Sequence, residues 1–214
     1  LAIDITKSIN YGSIKKSRHH LAALISTVLS LSAARNGDRV GFIFFSNKIR
    51  HFSEPQKGQI HCMKILRKLI NHEPTPAISN PGACLEFIMK RQKKRSMIFL
   101  ISDFLSEGFE NELKICSHKN DLVAIQIIDP AEIELPTAGK VYVKNPENDQ
   151  SYLMDTNDKS IQENYKSQRN KWQENLDSNF KLNKIDHLKV INDENCDPAK
   201  ALKILFKSRA TSKN

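Results

Sequence analysis

Met97-Ile98-Phe99-Leu100-Ile101-Ser102-Asp103 is an apolar run closed by a carboxylate, and it decides the fold class. Its hydrophobicity is continuous, without alternation, which marks a strand covered on both faces as in a parallel sheet. Residues 39–45 repeat the pattern with a core of Val, Gly, Ile and Phe. Leu1-Ala2-Ile3 is the tail of another such strand, and it too ends on an acid, Asp4. Residues 122–128 and 187–191 read as further strands.

Amphipathic stretches lie between these runs. Residues 16–35 predict a helix with Leu21, Leu24, Val28 and Leu31 on one face, closed by Asn36-Gly37. Residues 59–71 predict a second, by the spacing of Ile60, Met63, Leu66 and Ile70. Others follow at 83–91, 107–118, 161–180 and 198–207, the last with Pro198 in its first turn. Residues 49–52 add a short edge strand. Residues 133–155 read as an antiparallel excursion, with 141–143 and 151–154 joined by a turn at 145–149. Strand–helix alternation over this length implies an α/β fold: three layers, a mostly parallel open sheet of Rossmann type, helices on both faces. A single domain over 1–209 with a polar tail at 210–214 accounts for the whole chain.

The 214 residues and 24.4 kDa suit one such domain and leave little for a second. Lys and Arg number 33 against 24 Asp and Glu, a net charge of +9. Residues 1–107 carry 17 basic and 7 acidic side chains, a net of +10, and residues 108–214 carry 16 and 17, a net of −1. The basicity is therefore a local feature. No apolar run approaches the roughly 20 residues of a membrane-spanning helix. Cys62, Cys84, Cys116 and Cys196 form no Cys-x-x-Cys pair, the usage of reduced thiols in a cytoplasmic protein. With seven glycines, no Gly-x-Gly-x-x-Gly and no P-loop after any strand, dinucleotide binding is disfavoured. The chain opens inside a strand without an initiator Met, as expected of an excised domain.

In an open parallel sheet, ligands bind beyond the carboxyl ends of the strands where strand order reverses. Asp4-Ile5-Thr6-Lys7-Ser8 puts a carboxylate and two hydroxyls there at two-residue spacing, and Asp103 follows the 97–102 run. The loop Pro74-Thr75-Pro76-Ala77-Ile78-Ser79-Asn80-Pro81-Gly82 can bring Ser79 over the same edge. All are hard oxygen donors suited to octahedral Mg2+, with hydroxyls on the ion, carboxylates behind bound waters and one position open. The same residue types are also ordinary N-caps and turn formers.

Asp4-Ile5-Thr6-Lys7-Ser8 resembles the Asp-x-Ser-x-Ser element of the metal-ion-dependent adhesion site in von Willebrand factor A domains. The particular branch is the bacterial family called domain of unknown function 58. Residues 35–41 followed by Phe44-Phe45-Ser46 resemble its helix-to-strand junction. Arg95-Ser96 leading into Leu100-Ile101-Ser102-Asp103-Phe104-Leu105 resembles its fourth-strand motif. Asp129-Pro130-Ala131-Glu132-Ile133-Glu134-Leu135-Pro136, with Gly139 and Asp155-Thr156, resembles its fifth-strand exit and hairpin. The resemblance implies a metal site of Asp4, Thr6, Ser8, Ser79 and Asp103, holding Mg2+ or Mn2+. Thr6 stands where the family usually has Ser, and Ser79 where it usually has Thr; Thr75 is an alternative to Ser79. It further implies a segment upstream of the first strand and a non-catalytic protein-interaction module that grips a partner's acidic side chain through the ion, the partner being a MoxR-type AAA+ ATPase in protein assembly or maturation.

Two other classes compete. A Mg2+-dependent phosphohydrolase could use Asp4 as nucleophile and Asp103 as metal ligand, but the acid that haloacid dehalogenase-type phosphatases carry two residues on is here Thr6. Nucleic-acid binding could draw on the basic half and the run Lys90-Arg91-Gln92-Lys93-Lys94-Arg95, but its cations are not interleaved with stacking aromatics and also suit a helix C-terminus.

Overall fold

The structure is a computed structural model describing residues 1–10, 17–73, 75–144 and 151–211. The chain runs β1 (Ala2–Asp4), α1 (Lys7–Asn10), α2 (Arg18–Arg35), β2 (Val40–Phe45), β3 (Ile49–Gln56) and α3 (Gln59–Ile70). It continues through α4 (Pro81–Arg91), β4 (Met97–Ser102), α5 (Glu110–Lys119), β5 (Asp121–Ile128) and α6 (Pro130–Ile133). β6 (Lys140–Lys144), β7 (Ser151–Asp155), α7 (Lys159–Leu182), β8 (Asp186–Ile191) and α8 (Pro198–Thr211) complete it.

The main sheet has the order β3-β2-β1-β4-β5-β8, parallel throughout except for β3. Each parallel strand sends alternate residues to opposite faces, and both faces are covered. Ile3, Phe42, Phe99, Ile101, Val123 and Ile125 pack in one core with residues of α2, α3 and α8. Ala2, Ile43, Phe45, Ile98, Leu100 and Ala124 pack in the other with residues of α4, α5 and α7. Burial on both sides is why these strands read as unbroken apolar runs. The expected three-layer α/β architecture is what the chain adopts, and β6 and β7 form the expected separate antiparallel pair. The turn at 145–149, the first residue of the helix expected at 16–35 and most of the polar tail lie outside the described residues.

Several local expectations shift. The edge strand β3 extends to Gln56 because it pairs with all of β2 through two register irregularities. At one of them Gly41 is crowded: a Cβ there would meet Pro55 Cγ at 3.0 Å and the Ser53 carbonyl at 3.1 Å. The buried stripe of α2 is Leu21, Ile25 and Leu29, and Leu24 and Val28 are exposed. The buried stripe of α3 is Cys62, Ile65, Leu66 and Leu69, whereas Ile60, Met63 and Ile70, expected inside, face outward. Both stripes satisfy helical spacing; packing of α3 against α2 selects the one that includes Cys62, which contacts the Ser30 carbonyl.

Candidate cation site at the carboxyl edge

The chain leaves β1 for β2 on one side of the sheet and later returns to build β4 on the other. The reversal of strand order therefore falls between β1 and β4. Ala2 pairs with Leu100 and Ile3 with Ile101, so the next residues along the two strands are Asp4 and Ser102. Ser102 Oγ donates to Asp4 Oδ2 at 2.8 Å. Past β1, the Thr6 amide and hydroxyl both donate to Asp4 Oδ1, at 2.9 and 2.7 Å. The hydroxyls of Thr6 and Ser8 lie 2.8 Å apart. Thr6 has a single hydroxyl proton and gives it to Asp4, so Ser8 is the donor in that contact.

The loop after α3 is stitched to the end of β1. Lys7 N–H donates to the Thr75 carbonyl at 2.9 Å, and Thr75 N–H to the Ile5 carbonyl at 3.0 Å. Asn80 N–H donates to the Ser46 carbonyl at 2.9 Å, and the Asn80 side chain caps α4 at Ala83 N–H. Held at both ends, the loop directs the Ser79 hydroxyl to Asp4 Oδ2. Thr75 joins through its backbone; among the described residues, Ser79 is the hydroxyl from this loop bonded to Asp4.

Asp103 completes the cluster from the end of β4. Its Oδ1 accepts from Leu105 N–H at 3.2 Å, and its Oδ2 is buried with no hydrogen-bond partner. Phe104, between them, has φ of 58°, a left-handed conformation costly for an L-residue with a Cβ. Its ring is fully buried against Phe109 and Phe180, which holds the turn. Burial first, and the neighbouring Asp103 carboxylate second, push Asp4 up to about 6, while bonds from Ser79 and Thr6 pull the other way. Arg18, in the first turn of α2, sits 3.8 Å from Asp103 Oδ2.

All five residues expected from the sequence thus converge, together with three that it did not single out. Ser102 had a signal: a hydroxyl inside an apolar run, one residue before the acid. Arg18 had a fainter one, a cation at the positive end of a helix dipole. Glu132, which accepts from Arg18, stood only within the motif that follows the fifth strand. The donor set is two carboxylates with the hydroxyls of Thr6, Ser8, Ser79 and Ser102, all hard oxygen. No group of three His, Cys, Asp or Glu side chains placed to hold a metal occurs among the described residues, so an ion here would rest on hydroxyls beside the two carboxylates. A buried carboxylate oxygen without a donor is the kind of group an ion or an ordered water satisfies, and the residues present fit Mg2+ or Mn2+.

A parallel sheet with this strand order and a hydroxyl–carboxylate cluster at its switch point defines a domain of the von Willebrand factor A type. Residues 1–175 match the family described as Protein of unknown function DUF58, and the chain belongs to that family. Its fold is similar to that of the conserved hypothetical protein BatB from Bacteroides thetaiotaomicron, with a TM-score of 0.60, 14% identity, and 100% of this chain and 97% of that one covered. It is also similar to an aerotolerance-related membrane protein from Bacteroides fragilis, with a TM-score of 0.57, 15% identity and coverage of 96% and 94%. At such identity the likeness speaks for the fold. Uncharacterized proteins of Mycobacterium bovis and Mycobacterium tuberculosis are 22% identical over 150 residues, 69% of this chain and 47% of theirs. The chain spans about half the length of these curated relatives. Among the described residues no helix is long and apolar enough to cross a membrane.

Proposed function

We propose that this chain is a non-catalytic protein-interaction module of the cytoplasm. It holds Mg2+ or Mn2+ through Asp4, Thr6, Ser8, Ser79 and Asp103 and grips an acidic side chain of its partner through the ion. One observation carries the reading. Thr6, Ser79 and Ser102, from three different segments, all direct their hydroxyl protons at Asp4, and Asp103 Oδ2 beside them has no hydrogen-bond donor. A hydroxyl whose proton is committed to a carboxylate turns lone pairs elsewhere, and a divalent cation is the partner such lone pairs suit. When bound, the ion supplies Lewis-acid attraction for a carboxylate. Asp4 orients the hydroxyls, and Asp103 supplies the second negative charge.

Asp4 accepts four hydrogen bonds and is fully buried, which also speaks against its use as a phosphohydrolase nucleophile. The family resemblance supports a MoxR-type AAA+ ATPase as the partner, in assembly or maturation of other proteins. The test is a titration with Mn2+, read by loss of the free-ion electron paramagnetic resonance signal, followed by capture of a MoxR-type ATPase in Mg2+ and in EDTA. Wild type should bind Mn2+ and recover the ATPase in Mg2+ alone, and Asp4→Ala should do neither. Equal recovery by both proteins in both buffers would sink the reading.

A further inference from the structure

We propose that Arg18 is the positioning residue of this cation site, fixing the Ser8 segment relative to Asp103 before any ion arrives; the inference rests on the cation reading above. The Arg18 side chain is only 6% exposed. Its Nη2 donates to the Ser8 backbone carbonyl and its Nη1 to a carboxylate oxygen of Glu132. Nη1 also faces Asp103 Oδ2 at 3.8 Å, close enough for charge attraction and too far for a hydrogen bond. The guanidinium therefore attracts Asp103 without consuming the oxygen lone pair that a cation site needs.

The groups that Arg18 faces come from three separate segments: α1, the end of β4 and α6 after β5. Arg18 adds a fourth from α2, so one planar group ties together the loops that carry Ser8 and Asp103. Its anchor is itself braced. Arg169 of α7 donates through Nη2 to Glu132 Oε2 at 3.1 Å and through Nε to the Glu132 carbonyl at 3.3 Å. The Arg169 guanidinium lies 4.1 Å from the Trp172 ring centre. Placing a cation at the N-terminal end of a helix and burying it there are both unfavourable. The two acceptors and the Asp103 charge at the carboxyl edge offset that cost, so the residue's reason lies in the site and not in its helix.

The fork matters as much as the charge. Two of its nitrogens reach acceptors on different segments at once, which a lysine ammonium, a single point charge on a flexible stem, does not reproduce. Arg18→Lys therefore keeps the charge and loses the spacing. Outer contacts of this kind typically set metal affinity by about 10–100-fold.

The experiment is a Mn2+ titration of wild type, Arg18→Lys and Arg209→Lys, with a thermal melt of each. Arg209 is the comparator, a largely covered arginine that bridges Asp121 and Asp186 at the opposite end of the sheet. Arg18→Lys should bind Mn2+ about tenfold or more weakly than wild type, and Arg209→Lys should bind it as wild type does even where its melt is lower. Glu132→Gln, which leaves Arg18 in place and loosens its anchor, gives a second route to the same weakening should Arg18→Lys fold poorly. Wild-type Mn2+ affinity in both Arg18→Lys and Glu132→Gln overturns the positioning role and leaves the cation reading intact. Absence of Mn2+ binding by wild type overturns both.

Discussion

The two ends of the sheet solve the problem of an arginine held away from water differently. At the amino end, Arg209 of α8 sends Nη1 to Asp186 Oδ2 at 2.6 Å and Nη2 to Asp121 Oδ2, one carboxylate for each nitrogen. That pairing locks α8 onto the first residues of β5 and β8. At the carboxyl end, Asp103 and Glu132 lie beside Arg18 and Arg169. Asp4 lies near Asp103 with no arginine of its own among the described contacts, and the pairing stays incomplete. Asp103 Oδ2 and Arg169 Nη1 are buried without hydrogen-bond partners, and Asp4 is pushed up to about 6. Residue type does not separate the two ends. Completeness of pairing does, because a fold gains nothing from a carboxylate buried beside another unless a third group joins them.

The sharpest way to break this contrast is a crossed pair of variants. Asp103→Ala should weaken Mn2+ binding on the order of a hundredfold, about 2.7 kcal/mol. Arg209→Met should leave Mn2+ binding unchanged and lower stability by about 1–3 kcal/mol, since its partners are partly exposed. Paired titration and denaturant unfolding read both. If Arg209→Met lost Mn2+ as Asp103→Ala did, the two ends would be one cooperative unit and the contrast would fail.

The next effect concerns the backbone beside Asp103. Phe104 keeps its left-handed conformation only because its ring fills the core between Phe109 and Phe180. Phe104→Ala empties that space and keeps the strained φ, so it should cost about 3–5 kcal/mol in urea unfolding. Mn2+ affinity should fall with it, because the turn aims Asp103. Full retention of affinity in the folded fraction would show that the turn does not set the carboxylate.

How far the site was legible beforehand follows from the range of each interaction. Asp4, Thr6, Ser8 and Asp103 stand beside apolar runs, so their place at a strand end is readable from neighbours in sequence. Ser79 was reachable only by counting back from the next helix, through a loop whose backbone stitching to Ile5 and Lys7 no local pattern encodes. Arg18 and Glu132 are 114 positions apart, and only the folded sheet brings them together. The fold carried a similar division. Strands buried on both faces declared themselves, whereas α3 offered two apolar stripes of equal spacing and contact with α2 chose between them.

Acidity offers a subtler test of the carboxyl end. Asp4 rises from its ordinary 3.8 to about 6 through burial and the Asp103 charge, so the folded chain holds that proton more tightly than the unfolded one. The stabilisation this brings is complete below about pH 4 and is lost as pH rises through about 6. His187 works in the opposite sense, since burial lowers it to about 4 against the pull of Asp177, and its contribution is lost as pH falls. Comparing wild type with Asp4→Asn cancels the histidine. In EDTA, wild-type stability relative to Asp4→Asn should decline from pH 4 to pH 7, and Mg2+ should reverse the decline in wild type alone. A difference that stayed flat with pH would mean that neither burial nor the Asp103 charge raises Asp4.

The smallest effect contrasts Phe104 with Lys184, the other non-glycine residue with positive φ among those described, at 53°. Lys184 follows α7, where its N–H donates to the Lys181 carbonyl at 3.1 Å and Ile185 N–H to the Phe180 carbonyl at 2.9 Å. That pair of bonds is the helix-ending motif in which glycine is the favoured residue. The Lys184 side chain is exposed, so nothing in the core offsets its backbone strain. Lys184→Gly should therefore raise stability by about 0.5–1 kcal/mol, the relief of the left-handed conformation less the extra chain entropy of glycine. Phe104→Gly should lower it severalfold more than that, because the lost ring outweighs the relieved strain. Opposite signs at two positions with the same backbone angle would separate strain held in place by a packed side chain from strain that merely ends a helix. Equal signs would mean that the Phe104 ring is not what holds the Asp103 turn.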